Sequence, residues 1–405
     1  MLDDFGQRIR DIILSEMDLS RELSDEEICD LIGSVVSREA RDRPMTIKDR
    51  AELERTIFNS LRKLDVLQEL VDDRDVTEIM VNGPNDIFYE KAGRIQRFKG
   101  HFSSEEKLED VIQQIVGRHN RVVNQASPIV DTRLSDGSRV NIVLNPISIG
   151  GSAVSIRKFP EHPMSMERLV EIEALSPEVA RLLQILTQAK YNIFISGGTG
   201  SGKTTFLNAL SQYIPDDERI ITIEDSAELQ LLGAKNIVRL ETRNANTDEV
   251  TPITIRDLIR TALRMRPDRI IVGECRGAEA LDMLQAMNTG HDGSLSTGHA
   301  NSPHDIISRI ETMVLQGQDF PLNAIRQQIA SGIDIIVQLG RLRDKSRRVL
   351  EISEVDGFMD GEIVLHTLYR FEETAVLDSG SIQGFLKKEG TLCHTDKLMA
   401  AGLSV

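Results

Sequence analysis

The segment Asn192–Phe206 reads NIFISGGTGSGKTTF and decides the fold of the chain around it. Its apolar residues 193–195 predict a short buried strand, and Phe206, Leu207 and Leu210 recur at helical spacing. A complete G-x-x-x-x-G-K-[ST] pattern lies between them. A strand, a glycine-rich loop and a helix in this order are the context that a phosphate-binding loop requires. The segment therefore predicts an α/β domain that binds a nucleoside triphosphate.

The residues of this loop explain how it would hold phosphate. Glycines let backbone N–H groups turn toward phosphate oxygens, and the following helix presents its positive N-terminal end to the same anion. We expect Lys203 to reach the β- and γ-phosphates and the hydroxyl of Thr204 to bind Mg²⁺. A chance glycine-rich turn is the alternative, but it leaves the flanking elements unexplained. The predicted nucleotide-binding residues are Gly197, Gly198, Thr199, Gly200, Ser201, Gly202, Lys203, Thr204 and Thr205.

Length and composition limit the remaining possibilities. The chain has 405 residues, enough for two or three domains, and its 40% apolar and 28% charged content is typical of a soluble globular protein. No apolar run approaches the ~18 residues of a membrane span, and the N-terminal residues lack a signal-peptide core. We therefore expect a cytoplasmic protein that can still dock on a membrane complex. Cys29, Cys275 and Cys393 are scattered, which predicts reduced thiols and supports neither a disulfide framework nor a zinc site.

The charge balance bears on nucleic-acid binding. The formal net charge of −16 argues against electrostatic wrapping of nucleic acid, although a basic channel within an acidic protein stays possible. The run from Arg341 to Arg348 is locally basic, and we interpret it as a solvated loop or strand end.

The domain organisation follows from a change in pattern along the chain. Apolar residues at helical spacing, with a capping box at Ser24–Glu27, predict helices at the N-terminus. Mixed helix and strand signals follow, and then a regular alternation of helix and strand that implies a parallel sheet covered on both faces. We predict a helical extension at 1–65, an α+β domain at 66–159, a linker at 160–166, an α/β domain at 167–372 and a C-terminal tail at 373–405.

Two apolar strands of the α/β domain end in glutamate. Residues 220–223 lead to Glu224, and residues 269–273 lead to Glu274. Hydrolysis needs a carboxylate to hold Mg²⁺ and another group to position water, and doubly wound folds place ligands at the carboxyl ends of their strands. Each segment alone is also consistent with an ordinary strand end. Both of them beside one phosphate loop favour a hydrolytic site.

Histidines and arginines supply further candidates. The stretch 289–301 contains His291 and His299 among glycines and hydroxyls, which suits a loop that senses the γ-phosphate. A solvated loop is the plainer alternative, and zinc binding lacks further ligands nearby. Arg133, Arg139 and Arg157 fall on successive predicted strands of the α+β domain. Such groups act as arginine fingers when they neutralise a transferred phosphoryl group, although spacing alone does not distinguish them from surface arginines.

Four motifs in order carry a resemblance to a known family. They are GGTGSGKTT at 197–205, ITIEDSAEL at 221–229, LRMRPDRIIVGECRG at 263–277 and TGHDGSLSTGHANS at 289–302. They resemble the Walker A, Asp box, Walker B and His box of the secretion ATPase superfamily, which powers type II secretion, type IV pili and type IV secretion. The upstream stretches VTEIMVNGPNDIFYEK at 76–91 and VDTRLSDGSRV at 130–140 also match, and the resemblance covers roughly residues 60–371.

The resemblance implies an architecture and partners. It implies a RecA-like P-loop ATPase domain linked to an N-terminal α+β (PAS-like) domain, assembled as a homohexameric ring on an inner-membrane platform protein. ATP and Mg²⁺ are the implied cofactors, and direct nucleic-acid contact is not expected. The chain lacks the cysteine tetrad of many extension ATPases, which leaves the pilus-retraction, type IV secretion and tight-adherence branches. The helical extension before residue 60 favours the last, so the chain looks closest to the tight-adherence (Flp) pilus assembly ATPases. The location implied is cytoplasmic, peripheral on the inner face of the cell membrane.

The resemblance also assigns roles to residues. It makes Glu224 the general base that orients water and makes Glu274 a ligand of Mg²⁺, directly or through water. It brings Arg133, Arg139 and Arg157 to the phosphates from the N-terminal domain or from a neighbour. It places His299 nearest the γ-phosphate, with His291 as the earlier histidine of the same box.

Two other functions stay open at this stage. A nucleic-acid-translocating motor can use the same RecA-like core, but the acidic balance and the 4% aromatic content disfavour it. An ATP-binding scaffold without turnover is disfavoured by the presence of both glutamates.

Overall fold

The computed structural model describes residues 4–17, 20–21, 23–42, 45–91, 93–118, 122–159, 163–243 and 251–405. The chain divides into two compact units, Met1–Glu161 and His162–Val405. The linker predicted at 160–166 begins with residues 160–162, which lie outside the described residues.

The first unit begins with three helices that share a small core. The buried residues of this core are all isoleucines and valines and include Ile9, Ile13 and Ile57. The capping box predicted at Ser24–Glu27 is confirmed, because Ser24 and Glu27 bond each other's backbone reciprocally. The helices are α1 (Asp4–Glu16), α2 (Asp25–Glu39) and α3 (Ile47–Arg62), with short 3₁₀ turns at Ala40–Asp42 and Asp65–Leu67.

The rest of the first unit is a helix-backed antiparallel sheet. It contains α4 (Gln68–Asp72), β1 (Val76–Asn82), β2 (Ile87–Lys91), β3 (Arg94–Arg97), α5 (Glu105–Gly117), β4 (Ile129–Arg133), β5 (Arg139–Val143) and β6 (Ala153–Arg157). The strand order is β3-β2-β1-β6-β5-β4. Alternate residues of β5 and β6 are buried, so the strands present one face to a core shared with α5. The end of α3 is fastened to α5, where Lys107 Nζ donates to the Ser60 carbonyl at 3.1 Å.

The second unit alternates helices and strands, as predicted. Its elements are α6 (Met166–Glu171), α7 (Pro177–Gln188), β7 (Ile193–Gly197), α8 (Lys203–Ser211), β8 (Arg219–Glu224), β9 (Asn236–Glu241), α9 (Ile255–Ala262), β10 (Arg269–Val272), α10 (Ala280–Asn288), β11 (Leu295–Gly298), α11 (Pro303–Gly317), α12 (Leu322–Gly332), β12 (Ile335–Arg341), β13 (Arg347–Met359), β14 (Glu362–Val376), β15 (Ile382–Lys388) and α13 (Asp396–Ala401).

These strands form one sheet of nine, in the order β15-β14-β13-β12-β7-β11-β10-β8-β9. The six strands from β12 to β9 are parallel, and β13 to β15 extend the sheet as antiparallel strands. A core containing Phe206 and Leu207 covers one face, and a core containing Ile306 and Ile329 covers the other. The predicted parallel sheet with both faces covered is confirmed.

The structure corrects two predictions in this unit. Residues Leu295–Gly298, which we expected in a loop, form β11 between β7 and β10. Residues expected in a C-terminal tail continue the sheet instead, because β15 pairs with β14. Among the helices that the structure describes, none is long and apolar enough to cross a membrane.

Candidate functional site

The phosphate-binding loop connects the central strand β7 to helix α8. Gly200 and Gly202 have φ values of +72° and +94°, a region that glycine enters at little cost. Gly197 is required for a different reason, because a Cβ there would lie 2.7 Å from the Leu339 carbonyl oxygen. The sequence thus folds into this loop because glycine stands where the backbone turns left-handed or approaches another strand.

Lys203 is buried at the start of α8. Its Nζ donates to the carbonyl oxygens of Gly197 at 3.0 Å and Gly198 at 3.1 Å, and lies 3.3 Å from Nδ1 of His299. Burial lowers the pKa of Lys203, and the nearby carboxylate of Glu274 partly opposes that shift. The ammonium group therefore lies beneath the phosphate loop, in contact with the end of β11.

Glu274 follows β10 and contacts the side chains of His299 and Arg276. Its Oε1 lies 2.7 Å from Nε2 of His299, and its Oε2 accepts a hydrogen bond from Arg276 Nη2 at 2.6 Å. The contact with His299 is short but is not aligned as a hydrogen bond. The buried Oε1 therefore has no hydrogen-bond partner among the described residues. Sequence reasoning missed Arg276, although its position two residues after Glu274 was visible.

The charges of this group follow from its surroundings. Burial would raise the pKa of Glu274, but the hydrogen bond from Arg276 and the neighbouring positive charges outweigh it and lower that pKa. Burial, with the adjacent ammonium of Lys203, lowers the pKa of His299. At neutral pH the site therefore holds an ionised Glu274, a neutral His299 and a charged Arg276.

Glu224 ends β8 beside this group. Its Oε1 accepts backbone hydrogen bonds from Glu228 at 2.7 Å and Leu229 at 2.9 Å, which fix the carboxylate over its own strand end. A Cβ on Gly273 would lie 2.8 Å from Glu224 Cγ. Because β8 and β10 are parallel neighbours, the two glutamates meet at the same edge of the sheet. Because Gly273 has no Cβ, the side chain of Glu224 fits beside it.

His291 does not join this group. It precedes β11, whereas His299 follows it, and its Nδ1 lies 3.3 Å from the carbonyl oxygen of Ala286 at the end of α10. The intervening strand places the two histidines at opposite edges of the sheet. The prediction that both belong to one phosphate-sensing loop is therefore wrong for His291 within this chain. The error arose because we interpreted the polar residues of β11 as part of a loop.

The three arginines of the first unit form a row. Arg139 on β5 lies directly opposite Arg133 on β4 and Arg157 on β6. Their strands bury the alternate residues, so the row lies on the face away from the core. Arg139 Nη2 is 3.5 Å from Asp131 Oδ1. That these arginines reach a bound nucleotide stays a prediction.

The donor set bears on the predicted metal. Among the described residues, no group of three histidine, cysteine or acidic side chains could hold an ion by itself. Mg²⁺ does not require such a group, because it keeps waters and binds one or two protein oxygens together with substrate phosphates. The hydroxyl residue Thr204 in the first turn of α8 and the buried Oε1 of Glu274 are oxygen donors of that kind.

Fold and site together define a class of protein. The phosphate loop follows the central strand β7. On one side of it a glutamate ends β8 and another follows β10, and β12 lies on the other side. This is the arrangement of a RecA-like P-loop nucleoside triphosphatase.

Comparison with known proteins gives the family. Residues 60–379 match the model of the family described as type II/IV secretion system protein. The chain is similar to the conjugal transfer protein TrbB of Rhizobium radiobacter, at 31% identity over 81% of this chain and 98% of that protein. It is also similar to the type IV secretion system protein PtlH of Bordetella pertussis, at 33% identity over 73% of this chain and 94% of that protein. The chain belongs to the type II/IV secretion system protein family and is a P-loop ATPase.

A solved structure agrees at the level of the fold. The pilus retraction motor PilT with bound ADP aligns with a TM-score of 0.54 and 23% identity, covering 76% of this chain and 82% of that one.

Proposed function

We propose that this protein is a hexameric, Mg²⁺-dependent ATPase motor that powers assembly of a tight-adherence (Flp) pilus or export of a protein. It would act at the cytoplasmic face of the inner membrane, bound to a platform protein. The observation that carries the proposal is the contact line from Lys203 through His299 to Glu274, with Glu224 beside it. These contacts connect the phosphate loop to the ends of β11 and β10, the region where hydrolysis takes place in such folds.

Each residue of the line has a chemical task. Lys203 neutralises charge on the β- and γ-phosphates, and Glu224, fixed by the backbone of residues 228 and 229, accepts a proton from the attacking water. Thr204 and Glu274 would hold Mg²⁺, which neutralises the phosphate oxygens when bound. The lowered pKa of Glu274 supports this role, because a carboxyl group binds Mg²⁺ in its ionised form.

The same contacts suggest how hydrolysis becomes movement. His299 touches the phosphate-loop lysine with one ring nitrogen and Glu274 with the other. Loss of the γ-phosphate changes the charge facing Lys203, so both contacts and the end of β11 respond to it. The row of Arg133, Arg139 and Arg157 would complete the site from the α+β domain of the same or a neighbouring subunit.

Two observations support the pilus or secretion branch. The three N-terminal helices have their own aliphatic core, which agrees with the helical extension that favoured the tight-adherence ATPases. The similar proteins PtlH and TrbB are named for type IV secretion and for conjugal transfer.

The experiment replaces the gene by a Glu274→Gln copy in the organism of origin and scores surface pili and exported proteins. We expect the variant to lose either the surface pilus or the exported protein. The purified variant should still form a ring of six subunits in Mg-ATP, which a mass measurement would detect. Normal pili and normal export would contradict the function, and a monomer in Mg-ATP would contradict the hexamer. Tight binding of single-stranded DNA by the wild type would instead support the translocating motor.

A further inference from the structure

The basic run 341–348 lies next to the phosphate loop. It closes the turn between β12 and β13, and β12 pairs with β7 up to Leu339 opposite Gly197. Arg347 Nε donates to the carbonyl oxygen of Gly200 at 2.9 Å. A Cβ on Gly202 would lie 3.5 Å from Arg347 Cδ, so the arginine side chain runs along the loop. The turn is therefore part of the wall around the phosphates.

Two arginines of this turn face each other. Arg341 and Arg347 are directly opposite across β12 and β13, so their side chains lie on the same face of the sheet, and both are exposed. Like charges in directly opposite positions destabilise a strand pair. An arrangement of this kind is favourable when an anion lies between the two guanidinium groups.

Two neighbouring arginines of the turn are paired with carboxylates, whereas Arg341 and Arg347 are not. Arg343 pairs with Glu373, and Arg348 pairs with Glu173. Within the described part of the chain, neither Arg341 nor Arg347 has a carboxylate at ion-pair distance. The protein has 64 acidic residues against 48 basic ones, so carboxylates are plentiful. Two uncompensated arginines beside a phosphate loop therefore point to an external anion.

The sheet order indicates which part of the nucleotide they face. Glu224 at the end of β8, Glu274 after β10 and His299 after β11 lie on one side of β7, and β12 lies on its other side. The γ-phosphate must lie toward the glutamates, since they act on it. The turn with Arg341 and Arg347 therefore faces the nucleoside end, where the α-phosphate lies.

We propose that Arg347 and Arg341 bind the α-phosphate of the nucleotide. The inference rests on the proposed function, which puts a nucleotide on this loop with its γ-phosphate toward Glu224 and Glu274. Arg347 uses one N–H to bond the loop and keeps its terminal N–H groups for the phosphate, a division that the guanidinium fork permits. Because ADP and ATP share the α-phosphate, these arginines hold both nucleotides and contribute to affinity, not to the chemical step.

The experiment measures binding of ADP and of Mg-ATP to the full-length wild type and to the double variant R341A/R347A by calorimetry. Each charge-assisted hydrogen bond lost corresponds to roughly a tenfold change in Kd, so we expect about 10- to 100-fold weaker binding of both nucleotides. In steady-state turnover, KM should rise by a similar factor while kcat stays within about threefold, the signature of lost uniform binding. Arg343→Ala, in the same turn but paired with Glu373, is the matched control and should bind like the wild type.

A merely structural role of Arg347 predicts different results. If it only braced Gly200, the double variant would lose thermal stability without ligand, and kcat would fall with KM unchanged; these results would overturn the proposal. Binding of both nucleotides within twofold of the wild type would also overturn it. The difference in nucleotide affinity between the wild type and the double variant should shrink as the salt concentration rises, because exposed charges are screened. Failure of the wild type to bind any nucleotide would instead refute the proposed function.

Discussion

Nε2 of His299 lies 2.7 Å from Oε1 of Glu274, which joins the end of β11 to the end of β10. The two residues are 25 positions apart in sequence and meet because these parallel strands are neighbours. With Lys203 at 3.3 Å from the other ring nitrogen, His299 is the only described side chain shown to contact both the phosphate-loop lysine and this carboxylate. These two contacts are what joins the phosphate loop to the ends of β10 and β11.

Replacing Lys203 or Glu274 should separate binding from hydrolysis. We expect Lys203→Ala to abolish tight nucleotide binding, because it removes the buried ammonium beneath the loop. Glu274→Gln should bind ATP but hardly hydrolyse it, since the neutral amide is a poor ligand for Mg²⁺. Nucleotide titration and phosphate release measure the two effects. Wild-type turnover in both variants would contradict the assignment of the site.

Replacing Gly273 by alanine tests the position of Glu224. The added Cβ would lie 2.8 Å from Glu224 Cγ, so the carboxylate must move. A displacement of about 1 Å in such a group can cost about 100-fold in rate, and we expect kcat to fall by roughly that factor with nucleotide binding retained. Gly277→Ala is the control, because its Cβ would meet only the end of the flexible Glu279 side chain at 3.3 Å. Equal activity of the two variants would show that Glu224 is not held as described.

Acid should destabilise the protein through His299. Its pKa is lowered from 6.5 in the folded state, so the unfolded chain binds more protons as the pH falls through and below 6.5. The contribution of neutral His299 to the unfolding free energy is therefore complete above pH 6.5 and is lost on acidification toward the folded-state pKa. Denaturant unfolding of the wild type and of His299→Asn between pH 8 and pH 5 measures this. Between pH 6.5 and pH 5, the unfolding free energy of the wild type should fall more than that of the variant. A wild type that gains stability relative to the variant on acidification would contradict this prediction.

The sequence predicted the phosphate loop with its flanking strand and helix, but it missed strand β11. The glycine pattern at 197–205 and the apolar runs that lead to Glu224 at the end of β8 and to Glu274 after β10 are local signals. Strand β11 was missed because Leu295–Gly298 contains serine, threonine and glycine, and only the neighbours β7 and β10 bury it. The contact of Arg347 with Gly200 joins residues 147 positions apart, and no local pattern predicts such a contact.

Removing Arg139 tests the predicted arginine fingers. Arg139 is the middle member of the row that includes Arg133 and Arg157. We expect Arg139→Ala to lose turnover while its nucleotide affinity stays within about tenfold, because a finger acts on charge that develops in the transition state. Arg97→Ala is a control on the same sheet, since Arg97 is exposed and pairs with Asp86. A collapse of binding instead would make Arg139 a ground-state contact.

The most direct test of the ATPase motor is specific ATPase activity measured while protein concentration rises through the micromolar range. We expect a steep rise in Mg-ATP turnover per chain as subunits assemble, and no such rise for Glu274→Gln. A rate per chain that stays flat while sizing shows monomers would contradict a site completed between subunits. Zero turnover at every concentration, with nucleotide binding intact, would contradict the motor itself.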